Sequence, residues 1–278
     1  MSDEALAADY DWCRRQLSHY ENFQVVSWFV PRTLRRHFWA VYAFCRTVDD
    51  LGDEAAGNRL LALDEFAAAF RASLDGSAST PLFRALAHTI HVRQLPEQPF
   101  WDLIEANRQD QRVQRYATFD DVLDYCRLSA NPVGRLVLAL FDVRDPNLLP
   151  LSDAVCTALQ LTNFWQDWQD DWGRGRCYVP LADLAAEGLD PEGLANAPES
   201  PPAARVLARE RERAWSLFRQ GAALEARVPT RLRLQLRLYR LGGEAVLSRL
   251  DRSPAVRPHL NIWGRLAVAW KVLGGSLL

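Results

Sequence analysis

Asn163, Asp167 and Asp171 recur at four-residue intervals within Leu159-Gln160-Leu161-Thr162-Asn163-Phe164-Trp165-Gln166-Asp167-Trp168-Gln169-Asp170-Asp171-Trp172. On a helix that spacing stacks the three side chains along one face, about 5–6 Å apart at Cβ. The result is a ladder of hard oxygen ligands. Leu159, Leu161, Phe164, Trp165, Trp168 and Trp172 surround it, so the carboxylates project from an otherwise apolar helix. Like charges so placed cost roughly 0.2–0.5 kcal/mol in an isolated helix and more where water is scarce. Something cationic has to offset them.

A second cluster lies in Tyr42-Ala43-Phe44-Cys45-Arg46-Thr47-Val48-Asp49-Asp50-Leu51-Gly52-Asp53-Glu54. Asp49 and Asp53 share a helix face, Arg46 stands one turn before Asp49, and the residues leading in are apolar. Aspartates four apart also occur on ordinary solvated helices; two such clusters, both on apolar helices, are harder to account for in that way. Mg2+ takes one or two carboxylates, keeps several waters and completes its octahedron with phosphate oxygens. Two facing ladders could therefore hold a diphosphate through several such ions.

The elements that must position these groups read as all-α, because apolar residues recur at three- and four-residue spacings and β-branched runs are scarce. Helices are expected over 4–18 and 33–51. Thr80-Pro81 reads as an N-cap with proline in the first turn, opening a helix to about Arg93 that Leu95-Pro96 closes. Another runs from 97 to 113, and Thr118-Phe119-Asp120-Asp121 starts the next with a capping-box pattern. Pro132 must break or kink that helix near Ala130-Asn131. Pro150 and Ser152 begin the helix bearing the Asn163 ladder, and Gly173 and Gly175 end it. Residues 189–202, rich in Pro, Gly, Ala and Ser, are expected to form a long surface loop. Helices follow at 203–226, 230–250 and 254–273. Thr230 to Tyr239 alternates arginine and leucine with the period of a strand, yet it has no β-branched residue after Thr230 and is assigned to helix.

Composition narrows the function. A formal net charge of −2 over 278 residues gives no global case for nucleic-acid binding. The five cysteines are scattered without a C-x-x-C pair, which argues against a disulfide framework or zinc site and fits the reducing cytoplasm. The acidic start Met-Ser-Asp-Glu-Ala lacks the pattern of a signal peptide, and no stretch approaches the roughly 20 apolar residues of a membrane span. Several groups have bland readings first: His19 and His37 as caps or core hydrogen-bond partners, Gln109 to Arg115 as a solvated helix end, and the Arg-rich 205–240 region, diluted by Glu210, Glu212 and Glu225, as a solvated helix face.

The two stretches together resemble the signatures of the squalene/phytoene synthase family. Tyr-Ala-x-Cys-Arg-x-x-Asp-Asp-x-x-Asp stands at 42–53, and Asn-x-x-x-Asp-x-x-x-Asp followed by Arg-x-Arg-x-Tyr-x-Pro at 163–180, in the family's order and separation. The resemblance covers nearly the whole chain and implies one domain, 1–278, of the all-α isoprenoid synthase fold with a central helix-lined cavity. It implies Mg2+-assisted ionisation of a prenyl diphosphate substrate, with Asp49, Asp53, Asn163, Asp167 and Asp171 as metal and diphosphate ligands. Arg46 would meet diphosphate oxygens, and Tyr42, Tyr125, Gln160, Arg176 and Tyr178 match further pocket positions. Glu21-Asn22-Phe23, Arg108-Gln109-Asp110-Gln111 through Arg115-Tyr116-Ala117-Thr118, and Ser129-Ala130-Asn131-Pro132-Val133-Gly134 resemble the bacterial hydroxysqualene synthase branch, which converts presqualene diphosphate to hydroxysqualene, a water trapping the final cation. Two departures from the wider family pattern are Gln166, where a basic residue is usual, and Asn131-Pro132, where Gly-x is usual. Losing that positive charge suits one bound diphosphate better than two.

For that chemistry the cation needs a dry aromatic wall, each ring attracting it by roughly 0.5–2 kcal/mol. Phe23, Trp28, Phe38, Phe44, Phe164 and Trp165 are available, with core packing as the plainer role for each. Ser129 or Asn131, at the proline break, would orient the quenching water; Asn131 could equally cap the broken helix. No G-x-G-x-x-G follows a strand, so no nicotinamide fingerprint is seen. The apolar Ala267–Leu278 stretch with Trp270 and Lys271 suits shallow membrane contact and hand-over of a greasy substrate from a presqualene diphosphate synthase. The rival enzyme reading is condensation of two farnesyl or geranylgeranyl diphosphates; the rival outside catalysis is an assembly or interaction protein on the same fold.

Overall fold

The computed structural model describes residues 2–19 and 30–250. The Glu21-Asn22-Phe23 signature, Phe23, Trp28, the 254–273 helix and the Ala267–Leu278 stretch lie outside the described residues, as does the side chain of His19. Among the described residues the backbone is helix and turn, with an isolated bridge between Arg115 and Cys177. These residues fall into two compact units, one drawn from Met1–Arg112 and Pro132–Asp145, the other from Val113–Asn131 and Pro146–Leu278.

The first unit holds α1 (Asp3–Arg15), α2 (Arg32–Asp53), α3 (Arg59–Leu74), α4 (Pro81–Arg93), α5 (Gln98–Asp110) and all but the first residue of α7 (Asn131–Leu140). Helix α2 packs against α1, α3, α4 and α5. Its buried face reads Phe38, Val41, Phe44 and Val48, the three- and four-residue rhythm of an amphipathic helix. Phe44 is fully buried and meets Phe66, Phe70 and Phe100 at ring-centroid distances of 5.2, 5.2 and 5.0 Å. Such ring pairs are worth about 0.5–1.5 kcal/mol beyond the area they bury. Phe44 is therefore core, and Phe38, set edge-on to Phe141, packs in the same unit. His37 is the core hydrogen-bond partner expected: its Nδ1 lies 3.3 Å from the Tyr10 hydroxyl and 3.0 Å from that of Thr89. Burial, with Arg36 and Arg93 nearby, pushes it down to about 4 and keeps it neutral.

Helix α3 was not anticipated from the sequence. Its start is nonetheless written there: Asn58 accepts a hydrogen bond from the Leu61 amide at 3.1 Å, and Gly57 turns the preceding chain with φ +85°. Thr80 caps α4 as expected, and Gln94 closes that helix in the left-handed region before Leu95-Pro96.

The second unit holds α6 (Phe119–Ser129), α8 (Leu149–Gly173), α9 (Leu181–Ala185), α10 (Pro191–Asn196), α11 (Pro201–Gly221) and α12 (Thr230–Leu250). The Thr118–Asp121 capping box forms. Pro132 does separate α6 from α7, with Ala130 between them. The Arg/Leu alternation after Thr230 is helix, as assigned. Residues 189–202 are not all loop: Asp190 caps α10 by accepting from the Gly193 amide at 2.6 Å, Pro191 opens it, and Leu194 is buried. Helix α11 lies so close to α8 that a Cβ on Gly221 would fall 2.3 Å from Val155 Cγ2.

The arginine face of α11 is not simply solvated. Arg205 and Arg209 reach Glu187, and Arg209 and Arg213 reach Asp183 on α9 at 3.1 and 2.6 Å. Arg213 also donates to Glu210, which sits on the buried stripe Ala203, Val206, Leu207, Ala214, Phe218 at 0 % exposure. Burial pushes the Glu210 carboxyl up to about 8, with Arg213 opposing and Asp183 reinforcing. A carboxyl raised in the fold contributes stability that is complete below its ordinary value of 4.5 and is lost as pH rises from there to about 8. Glu210→Gln keeps the shape and removes the ionisation. Its unfolding temperature should match the parent at pH 5 and exceed it at pH 8.5, by roughly 2–4 °C per kcal/mol recovered, as thermal unfolding across pH would show.

Candidate active site

Each carboxylate cluster occupies the C-terminal end of its helix. Asp49 and Asp53 stand in the last turns of α2, Asp167 and Asp171 in the last turns of α8, and neither helix has a basic residue in its last turn. That placement sets negative side chains against the negative pole of the helix, a cost of about 0.3–1 kcal/mol each at the surface.

In the first unit Asp49 keeps accessible surface but is set among protein atoms that push its carboxyl up to about 6, an effect Asp53 reinforces and a hydrogen bond from Asn107 opposes. Arg46 pairs with Asp50 and, at 3.5 Å, with Glu54. It is thus held at the cluster by neighbouring carboxylates. Tyr42 is buried one turn upstream. Asn107 is a residue the sequence reading missed. The polar run that follows it is not merely solvated, since Gln111 donates to the carbonyl of Gly52 at 2.9 Å. The signal was available: Phe100, Leu103, Ile104 and Asn107 share one stripe of α5, and only the last is polar.

In the second unit Asn163 is exposed, Asp167 and Asp171 are half-buried, and Gln160 is half-buried one turn before Asn163. Burial pushes Asp171 up to about 6; Asp167 adds to the shift, and Arg176 and Arg174 oppose it. The segment after the helix folds back over this end. The Arg176 amide donates to the Asp171 carbonyl at 2.8 Å, and the Cys177 amide to the Gln114 carbonyl at 3.0 Å. Arg115 donates to the Gly175 carbonyl and lies 5.0 Å from the centroid of the Trp172 ring. Tyr178 stacks on Phe164, centroids 3.8 Å apart and planes 5° from parallel, and Tyr125 and Tyr116 join the cluster at 5.8 and 5.7 Å from Tyr178. Tyr116 was not anticipated as part of it. A small pocket beside Asp171 is lined by Trp165, Trp168, Trp172, Arg176 and Tyr178.

At the break between α6 and α7 the side-chain carbonyl of Asn131 accepts from the Thr157 hydroxyl at 2.9 Å, so it reaches α8. Among the described residues the buried Ser129 hydroxyl has no hydrogen-bond partner, and neither has the indole N–H of Trp165.

The sequence matches the squalene/phytoene synthase family model over residues 17–267, across both units. The chain belongs to the squalene/phytoene synthase family. Within it, the chain is 33% identical to a hydroxysqualene synthase of Sinorhizobium fredii over 90% of its length and 86% of the relative's. It is 34% identical to that of Zymomonas mobilis over 84% and 77%. Among solved structures it resembles squalene synthase HpnC from Alicyclobacillus acidocaldarius, at 51% identity and TM-score 0.88, covering 92% of this chain and 97% of that one. It is accordingly an enzyme of a family that acts on prenyl diphosphates, with the all-α fold of the isoprenoid synthases.

Family members need a divalent cation, and the residues here fit one. Among the described residues no three His, Cys, Asp or Glu side chains form a metal cage. What the clusters offer are carboxylate pairs, the donor set of Mg2+ when substrate phosphates supply further oxygens. Both Asp49 and Asp171 sit beside a second carboxylate in surroundings that disfavour their charge. That is the condition a cation relieves.

Arg115 fastens the segment that brings Arg176 and Tyr178 to this end of α8. Arg115→Met should lose a charged hydrogen bond and a cation–π contact, roughly 1–3 kcal/mol together, measurable as a lower urea midpoint with the helical circular dichroism unchanged.

Proposed function

We propose that the protein converts presqualene diphosphate and water to hydroxysqualene, diphosphate and a proton, with Mg2+. The observation that carries the reading is the pair of clusters, Asp49 with Asp53 and Asp167 with Asp171, each carrying a carboxyl raised to about 6 on a helix end without basic residues. In a member of this family that arrangement suits metal-bound diphosphate. Support for the product comes from the relatives named hydroxysqualene synthase.

In this reading Asp49, Asp53, Asn163, Asp167 and Asp171 hold Mg2+, which supplies charge stabilisation for the departing diphosphate. Arg46 leaves Asp50 and Glu54 to donate to diphosphate oxygens, and Arg176 is proposed to do the same. Both bring positive charge to where negative charge grows. Tyr42, Tyr125, Gln160 and Tyr178 contact the substrate, and the stacked Tyr178–Phe164 pair gives the carbocation an apolar π-face without a nucleophile. The quenching water is held by Ser129, whose buried hydroxyl has no partner among the described residues, rather than by Asn131, whose carbonyl is engaged with Thr157. Gln166 stands neutral where the family usually has a positive charge, which favours one diphosphate at a time. No described helix is long and apolar enough to cross a membrane. A cytoplasmic enzyme that meets the membrane through residues 267–278 and takes its substrate from a presqualene diphosphate synthase fits such greasy compounds.

The test is a product assay with purified protein and Mg2+ and no nicotinamide, offering presqualene diphosphate and farnesyl diphosphate separately. Hydroxysqualene is expected from the first and nothing from the second; turnover of farnesyl diphosphate would make it a condensing enzyme, and silence with both would favour a scaffold. Asp49→Asn and Asp171→Asn should each lower kcat by about 10²-fold or more. Ser129→Ala should divert product from the alcohol to hydrocarbon with substrate consumption retained; unchanged alcohol yield would remove the role given to Ser129.

A further inference from the structure

Asn107 is 8 % exposed on the stripe of α5 that buries Phe100, Leu103 and Ile104. A buried amide must place its protons, and both of this one's are placed: Nδ2 donates to Asp49 Oδ1 at 3.2 Å and to the Leu103 carbonyl at 3.1 Å. The opposite orientation of the amide would set its oxygen against a carboxylate, so chemistry fixes which end faces Asp49. The oxygen then lies over Gly52, where an added Cβ would stand 2.1 Å from Oδ1 and 3.0 Å from Cγ. One turn on, Gln111 donates from Nε2 to the carbonyls of Gly52 at 2.9 Å and Asn107 at 3.1 Å. Two amides, Asn107 on α5 and Gln111 at its C-cap, thus hold the last turn of α2 around Gly52, and the Asn107 amide fits there only because that residue has no side chain.

We propose that Asn107 is a positioning residue. It commits one oxygen of Asp49 to the protein and so sets the direction in which the other is presented to the metal-bound diphosphate, and glycine at 52 is the steric condition for this. The inference rests on the reading of Asp49 as a ligand of that group. In such carboxylate sites the hydrogen bond behind the ligand is worth about 10–100-fold in metal affinity or activity.

The experiment measures binding without turnover: Mn2+ with inorganic diphosphate, titrated calorimetrically into the full-length protein and followed by electron paramagnetic resonance of the bound ion. Asn107→Leu, equal in size but without the donor, is expected to weaken binding about tenfold or more, with an unfolding temperature within a few degrees of the parent. Gly52→Ala, which leaves every polar group in place but evicts the amide, should show the same loss, and the double variant should be no worse than either single. Binding by Asn107→Leu within twofold of the parent, or losses that multiply in the double variant, would overturn the proposal. If Asn107→Leu fails to fold, Gly52→Ala decides alone, unchanged binding overturning it. A parent protein that binds no metal–diphosphate, or an Asp49→Asn variant that binds it equally well, would overturn the diphosphate reading itself and this proposal with it.

Discussion

Negative charge gathered at the wrong end of a helix is the constraint around which this protein is built. Acidic side chains normally favour the first turn, where unpaired amides and the dipole welcome them, and basic ones the last. Here α2 ends in Asp49, Asp50 and Asp53 and α8 in Asp167, Asp170 and Asp171, with no basic residue in either last turn. Each cluster therefore opposes its own helix as well as itself. Chains pay such a cost where charge is needed for chemistry, and at the two ends the offsets are partial and different. Arg46 and the Asn107 amide serve the first; Arg174 and Arg176, just past the helix, serve the second. The remainder is left for a cation: one carboxyl of each cluster, Asp49 and Asp171, is pushed up to about 6 by the protein atoms around it and by a neighbouring carboxylate.

Helices that end unfavourably have to be held by what lies before the end. Helix α2 is pinned by Phe44 among three other phenylalanines and by contacts with four neighbouring helices. Helix α8 is pinned by α11 at a distance only glycine allows at position 221. Apolar burial of this kind is worth about 1.5–3 kcal/mol for each large side chain, against about 0.3–1 kcal/mol for each misplaced charge, so the packing wins and the clusters stay put. The same argument explains how Glu210 is tolerated on the buried stripe of α11: Arg213 donates to it, and its raised pKa favours the neutral form that burial penalises less.

Much of this was legible in the sequence, because it is written in short spacings. The ladder, the Thr118 capping box, the Pro132 break and the helical reading of Thr230–Tyr239 all depend on residues within a few positions of one another. What escaped depends on partners far along the chain. Helix α3 is Ala- and Leu-rich with little contrast between its faces, so it gives a weak amphipathic signal. Helix α10 is a single Asp-Pro start buried in what looks compositionally like a loop. Nothing local says that Asn107 meets a carboxylate 58 residues earlier, that Arg213 meets Asp183, or that Tyr116 joins Tyr125 and Tyr178. The placement of Asn107 on an apolar stripe was a clue that a polar partner existed, though not which one.

The break between α6 and α7 shows how a local rule can produce a feature with a use. Proline at 132 removes an amide that a continuous helix would have bonded, and the chain turns at Ala130 before helical geometry resumes at Asn131. The joint leaves polar side chains on both sides of it in buried surroundings. Asn131 satisfies its carbonyl on Thr157, whereas the Ser129 hydroxyl finds no partner among the described residues. An orphaned buried hydroxyl costs about 1–3 kcal/mol, and alanine at that position would avoid the cost without disturbing a helix end. A chain that keeps serine there keeps a group able to hold one water in a dry place. The reaction we propose, which ends by adding one water to a cation, would use such a group.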